Sequence, residues 1–201
     1  NCVAVLGNEI QNKTIPYLKR YQNIIIAFDN DNTGYNATLK AITTLYKAGF
    51  KNVLYLVYNG YGDSIDNAQN YPLINFEHKD LNDALQENET GLVSKVLNQI
   101  AHGYKLLVID LILNTKGLND LEKTKKIDEF LKLLYQFPGN VVNGALNFYK
   151  LKTGIDLTAE YEQGKTLLNV NQYQEKLTDL INNTPDFTLD TLSEIKRITA
   201  E

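Results

Sequence analysis

The stretch Ile24-Ile25-Ile26-Ala27-Phe28-Asp29-Asn30-Asp31-Asn32-Thr33-Gly34-Tyr35-Asn36-Ala37 carries three patterns in succession. The first is an unbroken apolar run. It is rich in β-branched side chains and predicts a strand over Asn23–Asp29, buried on both faces. The second is the polar turn Asp-Asn-Asp-Asn-Thr-Gly. The third is a helix from Gly34 to Ala48, with Ala37, Ala41, Leu45 and Ala48 as its i, i+4 stripe and Gly49 as its stop. Asn52–Val57 reads as the next strand. Strand, helix and strand at this spacing predict a βαβ unit and a parallel sheet.

Outward from this unit the pattern changes once. Upstream, Val3–Leu6 is a short apolar strand ending at Gly7. Thr14 is placed to cap a helix running to Tyr21, with Pro16 in its first turn. Downstream, Asn59–Tyr71 is a polar loop rich in Gly and Asn. Asp80 is placed to cap a short helix, with Asp83 at its third position. Leu92–Leu113 reads as helical, with a break near Gly103. Asn119-Asp120-Leu121-Glu122 is a capping box, and the helix behind it lines up Ile127, Phe130, Leu131 and Leu134. Pro138-Gly139 breaks that helix. Another runs over Val141–Lys152 and stops at Gly154. Amphipathic stretches follow at Thr166–Asn182 and Thr188–Thr199. The expected division is an α/β part over residues 1–88 and a helical bundle over 89–201, packed together.

The bulk properties narrow the classes. A chain of 201 residues with 43% hydrophobic and 22% charged residues is long enough for a buried core. The net charge of -4 lacks the basic footprint of an autonomous nucleic-acid binder. Acidic groups around a metal could still handle nucleotides, because the cation then neutralises phosphate. Cys2 is the only cysteine, which excludes an internal disulfide and a thiolate cluster and fits a reducing cytoplasm. No apolar run approaches the ~20 residues of a membrane span, and the first residues lack the pattern of a signal peptide. The chain contains no methionine and opens on a strand-like run, so a piece of a longer protein is expected.

Asp29 and Asp31 sit at the carboxyl end of the apolar strand. That is the edge of an open α/β sheet where ligands bind. Residues two apart on an extended chain point to one side, so both carboxylates can face one crevice. Their mutual repulsion is relieved by a shared divalent cation. Mg²⁺ suits such a site, taking one or two carboxylates, waters and phosphate oxygens. The same residues also fit a plain turn that caps the next helix. An EF-hand is excluded: Gly34 fills its sixth position, but Lys40 stands at the twelfth, where Glu is required.

The Ile24–Ala37 stretch resembles the D-x-D motif of the Toprim domain of bacterial DnaG-type DNA primases. There an apolar strand leads into F-D-x-D-x-A-G and a helix. Ala4-Val5-Leu6-Gly7 resembles the strand and Gly before it, and Leu18-Lys19-Arg20-Tyr21 the intervening helix. Lys79-Asp80-Leu81-Asn82-Asp83 resembles the third acidic motif, in the K-D-x-N-D spelling common in Toprim proteins of mobile elements. Asp128–Gly154 is similar to the helix, break and helix that follow Toprim in primases. Asn30, Thr33 and Tyr35 depart from the family's usual Gly, Ala and basic residue. The family's first strand and catalytic Glu would precede Asn1, and Glu9 does not match that Glu.

The resemblance implies a parallel-sheet, Rossmann-like α/β Toprim domain followed by an α-helical bundle. It implies a metal-dependent nucleotidyltransferase, a DNA-directed RNA polymerase making short RNA primers in DNA replication. Asp29 and Asp31 would be catalytic, and Asp29, Asp31 and Asp80 would hold Mg²⁺ or Mn²⁺. Asp83 is equally explained as a helix cap. The implied partners are a single-stranded DNA template, ribonucleoside triphosphates and a replicative helicase, with no membrane, at a cytoplasmic replication fork. This stretch alone is expected to be inactive. Two alternatives stand beside it: a Toprim nucleotidyltransferase or nuclease-like protein of a plasmid, phage or transposon, and a non-catalytic module that docks a helicase.

Other residues have plainer readings. His78 reads as a surface histidine beside Lys79, and His102 has no partner pattern. No G-x-x-x-x-G-K-[ST] is present, so no P-loop motor is encoded here. Gly60-Tyr61-Gly62-Asp63 reads as a loop. Lys123, Lys125 and Lys126, Lys196-Arg197 and Lys19-Arg20 read as solvated faces. The 13 tyrosines are too scattered for a base-stacking platform.

Overall fold

A single 3-10 turn, Asn12–Thr14, leads into the short helix α1 (Ile15–Leu18), which buries Leu18. Pro16 lies in the first turn as expected, but Thr14 makes no side-chain cap bond. The computed structural model describes residues 9–57, 80, 83, 86, 91 and 100–183, with side chains up to Leu180. The expected strand at Val3–Leu6, the loop Asn59–Tyr71 with Gly60–Asp63, and the stretch Thr188–Thr199 lie outside the described residues. So do His78, Lys79, Leu81, Asn82, Lys196 and Arg197.

Strand β1 (Ile24–Ile26), helix α2 (Asn32–Lys47) and strand β2 (Val53–Leu56) form the expected βαβ unit. β1 and β2 are parallel, with Ile24 opposite Val53 and Ile26 opposite Tyr55. β1 is shorter than predicted and is not buried on both faces: Ile26 is buried, whereas Ile25 is 47% exposed. Alternate strand side chains point to opposite faces, and α2 packs on this sheet with a buried stripe of Ala37, Ala41, Ile42, Leu45 and Tyr46. Gly49, at φ 88°, ends the helix as its position predicts.

The sheet is mixed rather than wholly parallel. A third strand, β3 (Ile100–His102), pairs antiparallel with the other edge of β2, giving the order β1-β2-β3. This corrects the helical reading of Leu92–Leu113 at residues 100–102. Three residues carry too little periodicity to oppose the long apolar helix that follows. Their backbone groups are instead used by the unpaired edge of β2.

That helix, α3 (Gly103–Thr115), is apolar on nearly every side. Leu106, Leu107, Val108, Ile109 and Leu111 are all buried, as such a composition requires. It packs against α2, β2 and β3 and against two further helices, α4 (Asp120–Leu134) and α5 (Gly139–Thr153). Half of the expected capping box forms at α4, where Asn119 Oδ1 accepts from Glu122 N at 2.9 Å. Phe130, Leu131 and Leu134 are buried as predicted. Gly144 of α5 lies so close to the Tyr104 ring that a Cβ would meet it at 2.8 Å, so a larger residue there would require the ring to shift.

Tyr46 joins three elements. Its hydroxyl donates to Val53 O at 3.2 Å and accepts from Tyr104 N at 3.0 Å, and its ring tilts against Phe137 with centroids 5.2 Å apart.

The chain divides into two compact units, Asn1–Ile155 and Asp156–Glu201. Helices α3 to α5 thus share a unit with the sheet. The expected boundary at residue 88 falls outside the described residues. The second unit contains α6 (Thr158–Asn183), longer than the predicted Thr166–Asn182. Asp156 Oδ1 accepts from Thr158 N at 3.0 Å at its start. Among the described residues no helix is long and apolar enough to cross a membrane.

Candidate metal centre

Past β1 the chain runs through Ala27 and Phe28 to Asp29 and closes into a tight turn. Asp31 has extended backbone, φ -146° and ψ 176°, and is the N-cap of α2. Its Oδ1 accepts from Gly34 N at 2.7 Å, and its carbonyl accepts from Tyr35 N at 2.9 Å. Thr38 Oγ1 donates to Gly34 O at 2.7 Å one turn on. Gly34 is buried directly against Asp29. A Cβ there would overlap the Asp29 carbonyl oxygen and lie 2.8 Å from its carbon. The glycine is therefore required by closeness of approach, and it folds the two ends of the Asp29–Gly34 turn onto each other.

Asp29 and Asp31 are both exposed, at the carboxyl end of β1. The turn opens a 16-residue helix, whose positive end favours carboxylates there. The cap uses Oδ1 of Asp31. A carboxylate has about four acceptor positions, so capping does not exhaust its capacity. Both readings of the turn therefore coexist: Asp31 is a helix cap, and its remaining oxygen is available to a cation. Two carboxylates are an adequate protein contribution for Mg²⁺, which keeps several waters.

Asp80 is also seen in a capping role. Its Oδ1 accepts from Asp83 N at 2.9 Å, as the sequence pattern predicts, and Asp83 is helical. Among the described residues no three His, Cys, Asp or Glu side chains group closely enough to hold a metal together. Asp29, Asp31 and Asp80 are thus not gathered into one three-acid cluster. A shallow hollow of about 490 Å³, lined by Lys19, Tyr21, Gln22, Phe50, Lys51 and Asn52, lies by the residues that precede β1 and β2. None of the three aspartates lines it.

Glu9, not assigned to the site, pairs with Lys40 of α2 at 3.2 Å on the surface. His102 stacks on Tyr104, and burial, helped by Lys105, holds its imidazole below the usual range. One connection to the turn is invisible from local pattern. The Tyr35 hydroxyl donates to Asp110 Oδ1 on α3 at 2.9 Å. The available signal was Asp110 itself, the single acid in the apolar segment Gly-Tyr-Lys-Leu-Leu-Val-Ile-Asp-Leu-Ile-Leu.

A family model described as Toprim-like matches residues 1–68. The matched residues include β1, the acidic turn, α2 and β2, and they support a Toprim domain in this part of the chain. Toprim domains occur in primases, nucleases and topoisomerases, and they bind divalent metal ions, generally Mg²⁺. No curated protein and no solved structure matches the chain.

Proposed function

We propose that this chain is part of a DNA primase, with the Asp29–Gly34 turn contributing carboxylates to a nucleotidyl-transfer centre. The observation that carries the reading is the turn itself: two exposed aspartates at the end of a parallel strand, locked by Gly34 against Asp29, within the Toprim-like stretch. Asp29 and Asp31 are the residues that would hold Mg²⁺ or Mn²⁺, with Asp80 a further ligand in the assembled site. When bound, such a cation neutralises triphosphate charge and activates an attacking hydroxyl. The chain's own part is to hold the two carboxylates at the sheet edge and to keep Asp31 oriented through its bonds to Gly34 and Tyr35. The substrates on this reading are ribonucleoside triphosphates and a single-stranded DNA template, with a replicative helicase as partner. The division into a Toprim part over residues 1–88 and a helical part over 89–201 belongs to the same proposal.

A second reading within the same chemistry is a Toprim protein of a plasmid, phage or transposon. The Lys79-Asp80-Leu81-Asn82-Asp83 spelling favours it.

The test is binding of a ribonucleoside triphosphate with and without Mg²⁺. Binding should require the metal, and Asp29→Ala should weaken it at least about tenfold, the scale of a lost charge-assisted contact. Affinity indifferent to both metal and Asp29 would contradict the proposal.

A further inference from the structure

We propose that Tyr35 and Asp110 form a positioning pair that sets the acidic turn from helix α3, so that cation affinity at Asp29 and Asp31 depends on a residue 75 positions away from Tyr35. The inference rests on the metal-binding reading above and names which further residues hold that site in shape.

The pair is continuous with the turn through hydrogen bonds. Asp110 Oδ1 accepts from the Tyr35 hydroxyl at 2.9 Å. Tyr35 N donates to the Asp31 carbonyl at 2.9 Å, and the neighbouring Gly34 N donates to Asp31 Oδ1 at 2.7 Å. The Asp31 carboxylate and carbonyl are thus both held by the first turn of α2, and that turn is tied to α3 by the Tyr35 side chain. α3 is itself immobilised in the core by Leu106, Leu107, Val108, Ile109 and Leu111. Asp110 is half-buried among these apolar neighbours in sequence. A carboxylate in such a place is costly unless it is hydrogen-bonded, and Tyr35 supplies a bond. Burial against the Tyr46 and Gly103 region already packs α3 on α2. The Tyr35–Asp110 bond adds what packing cannot, a directional tie at the end of α2 that bears the carboxylates. Groups that orient ligands in this way affect metal affinity without touching the ion.

The experiment measures Mn²⁺ affinity of the full chain by titration, alongside its thermal midpoint. The variants are Tyr35→Phe, Asp110→Ala, Asp110→Asn and the double variant Tyr35→Phe/Asp110→Ala. Tyr35→Phe and Asp110→Ala should each weaken Mn²⁺ binding about tenfold, within the range known for groups that orient ligands. Asp110→Asn keeps an acceptor and should retain most of the affinity. The double variant should be no worse than either single one, because each removes the same bond. Tyr35→Phe binding Mn²⁺ as the unaltered chain does, with only its midpoint lowered, would reduce the pair to a structural role and overturn the inference. So would additive losses in the double variant. Failure of the underlying reading looks different: the unaltered chain would bind no Mn²⁺, or bind it equally well with Asp29→Ala, and the inference would fall with it.

Discussion

Gly34 is the residue on which the acidic turn depends most. The space beside its Cα is filled by the Asp29 backbone. Gly34→Ala cannot be accommodated by a side-chain rotation, since the obstacle is main chain. The turn must open, which separates Gly34 N from Asp31 Oδ1 and leaves the first turn of α2 without its cap. Loss of an N-cap alone costs about 1 kcal/mol, and backbone displacement adds to it. Gly34→Ala should therefore lower the denaturation midpoint and also weaken the response to Mg²⁺. A variant that unfolds and binds metal like the unaltered chain would show that the close approach is dispensable. A glycine at the junction of the polar turn and the helix was legible. The reason for it was not, because the Asp29 carbonyl reaches Gly34 only once the turn has closed.

At the level of elements, the first βαβ unit was legible because three independent signals agree over residues 23–57. These are the apolar strand runs, the alanine stripe of α2 and the Gly49 stop. β3 was not legible. Ile100-Ala101-His102 is a strand because β2 offers it an edge, and that demand comes from residues near position 54. Tyr46 shows the same dependence on distant partners. It lies outside the predicted stripe of α2 and is buried, and its hydroxyl serves β2 through Val53 and the start of α3 through Tyr104. Tyr46→Phe leaves a carbonyl and an amide short of a partner, which should cost about 1–3 kcal/mol in a denaturant titration. Burial also pushes the Tyr46 hydroxyl well above the ordinary 10.0, partly offset by the bond from Tyr104. Its folded-state pKa is raised, so the stability it contributes is present below about pH 10 and is lost as pH climbs beyond that value. The difference in stability between the unaltered chain and Tyr46→Phe should shrink at strongly alkaline pH. A constant difference would mean that the hydroxyl is not buried as described.

On the scale of the whole molecule, the acidic balance and the helical core of the first unit bear on function together. A net charge of -4 gives little general attraction for polyanions, so under the proposed function recognition of phosphate would be concentrated at one metal-assisted edge. The α/β character of the front of the chain was legible. Packing of the later helices against the front of the chain was expected, whereas the role of α3 as a buried hub between the sheet and α4 and α5 was not legible, because it depends on which elements meet once the chain has folded. The candidate site was legible as a pair of carboxylates, while its support by Tyr35 and Asp110 was not. The most direct test follows ¹⁵N-labelled backbone amides as Mn²⁺ is added in small amounts, because a paramagnetic ion broadens only the signals near it. The amides of Asn30, Asp31, Gly34 and Tyr35 should broaden first, and Asp29→Ala or Asp31→Ala should abolish that selectivity. Broadening that spares these residues, or that is unchanged in both variants, would contradict a metal centre at the acidic turn.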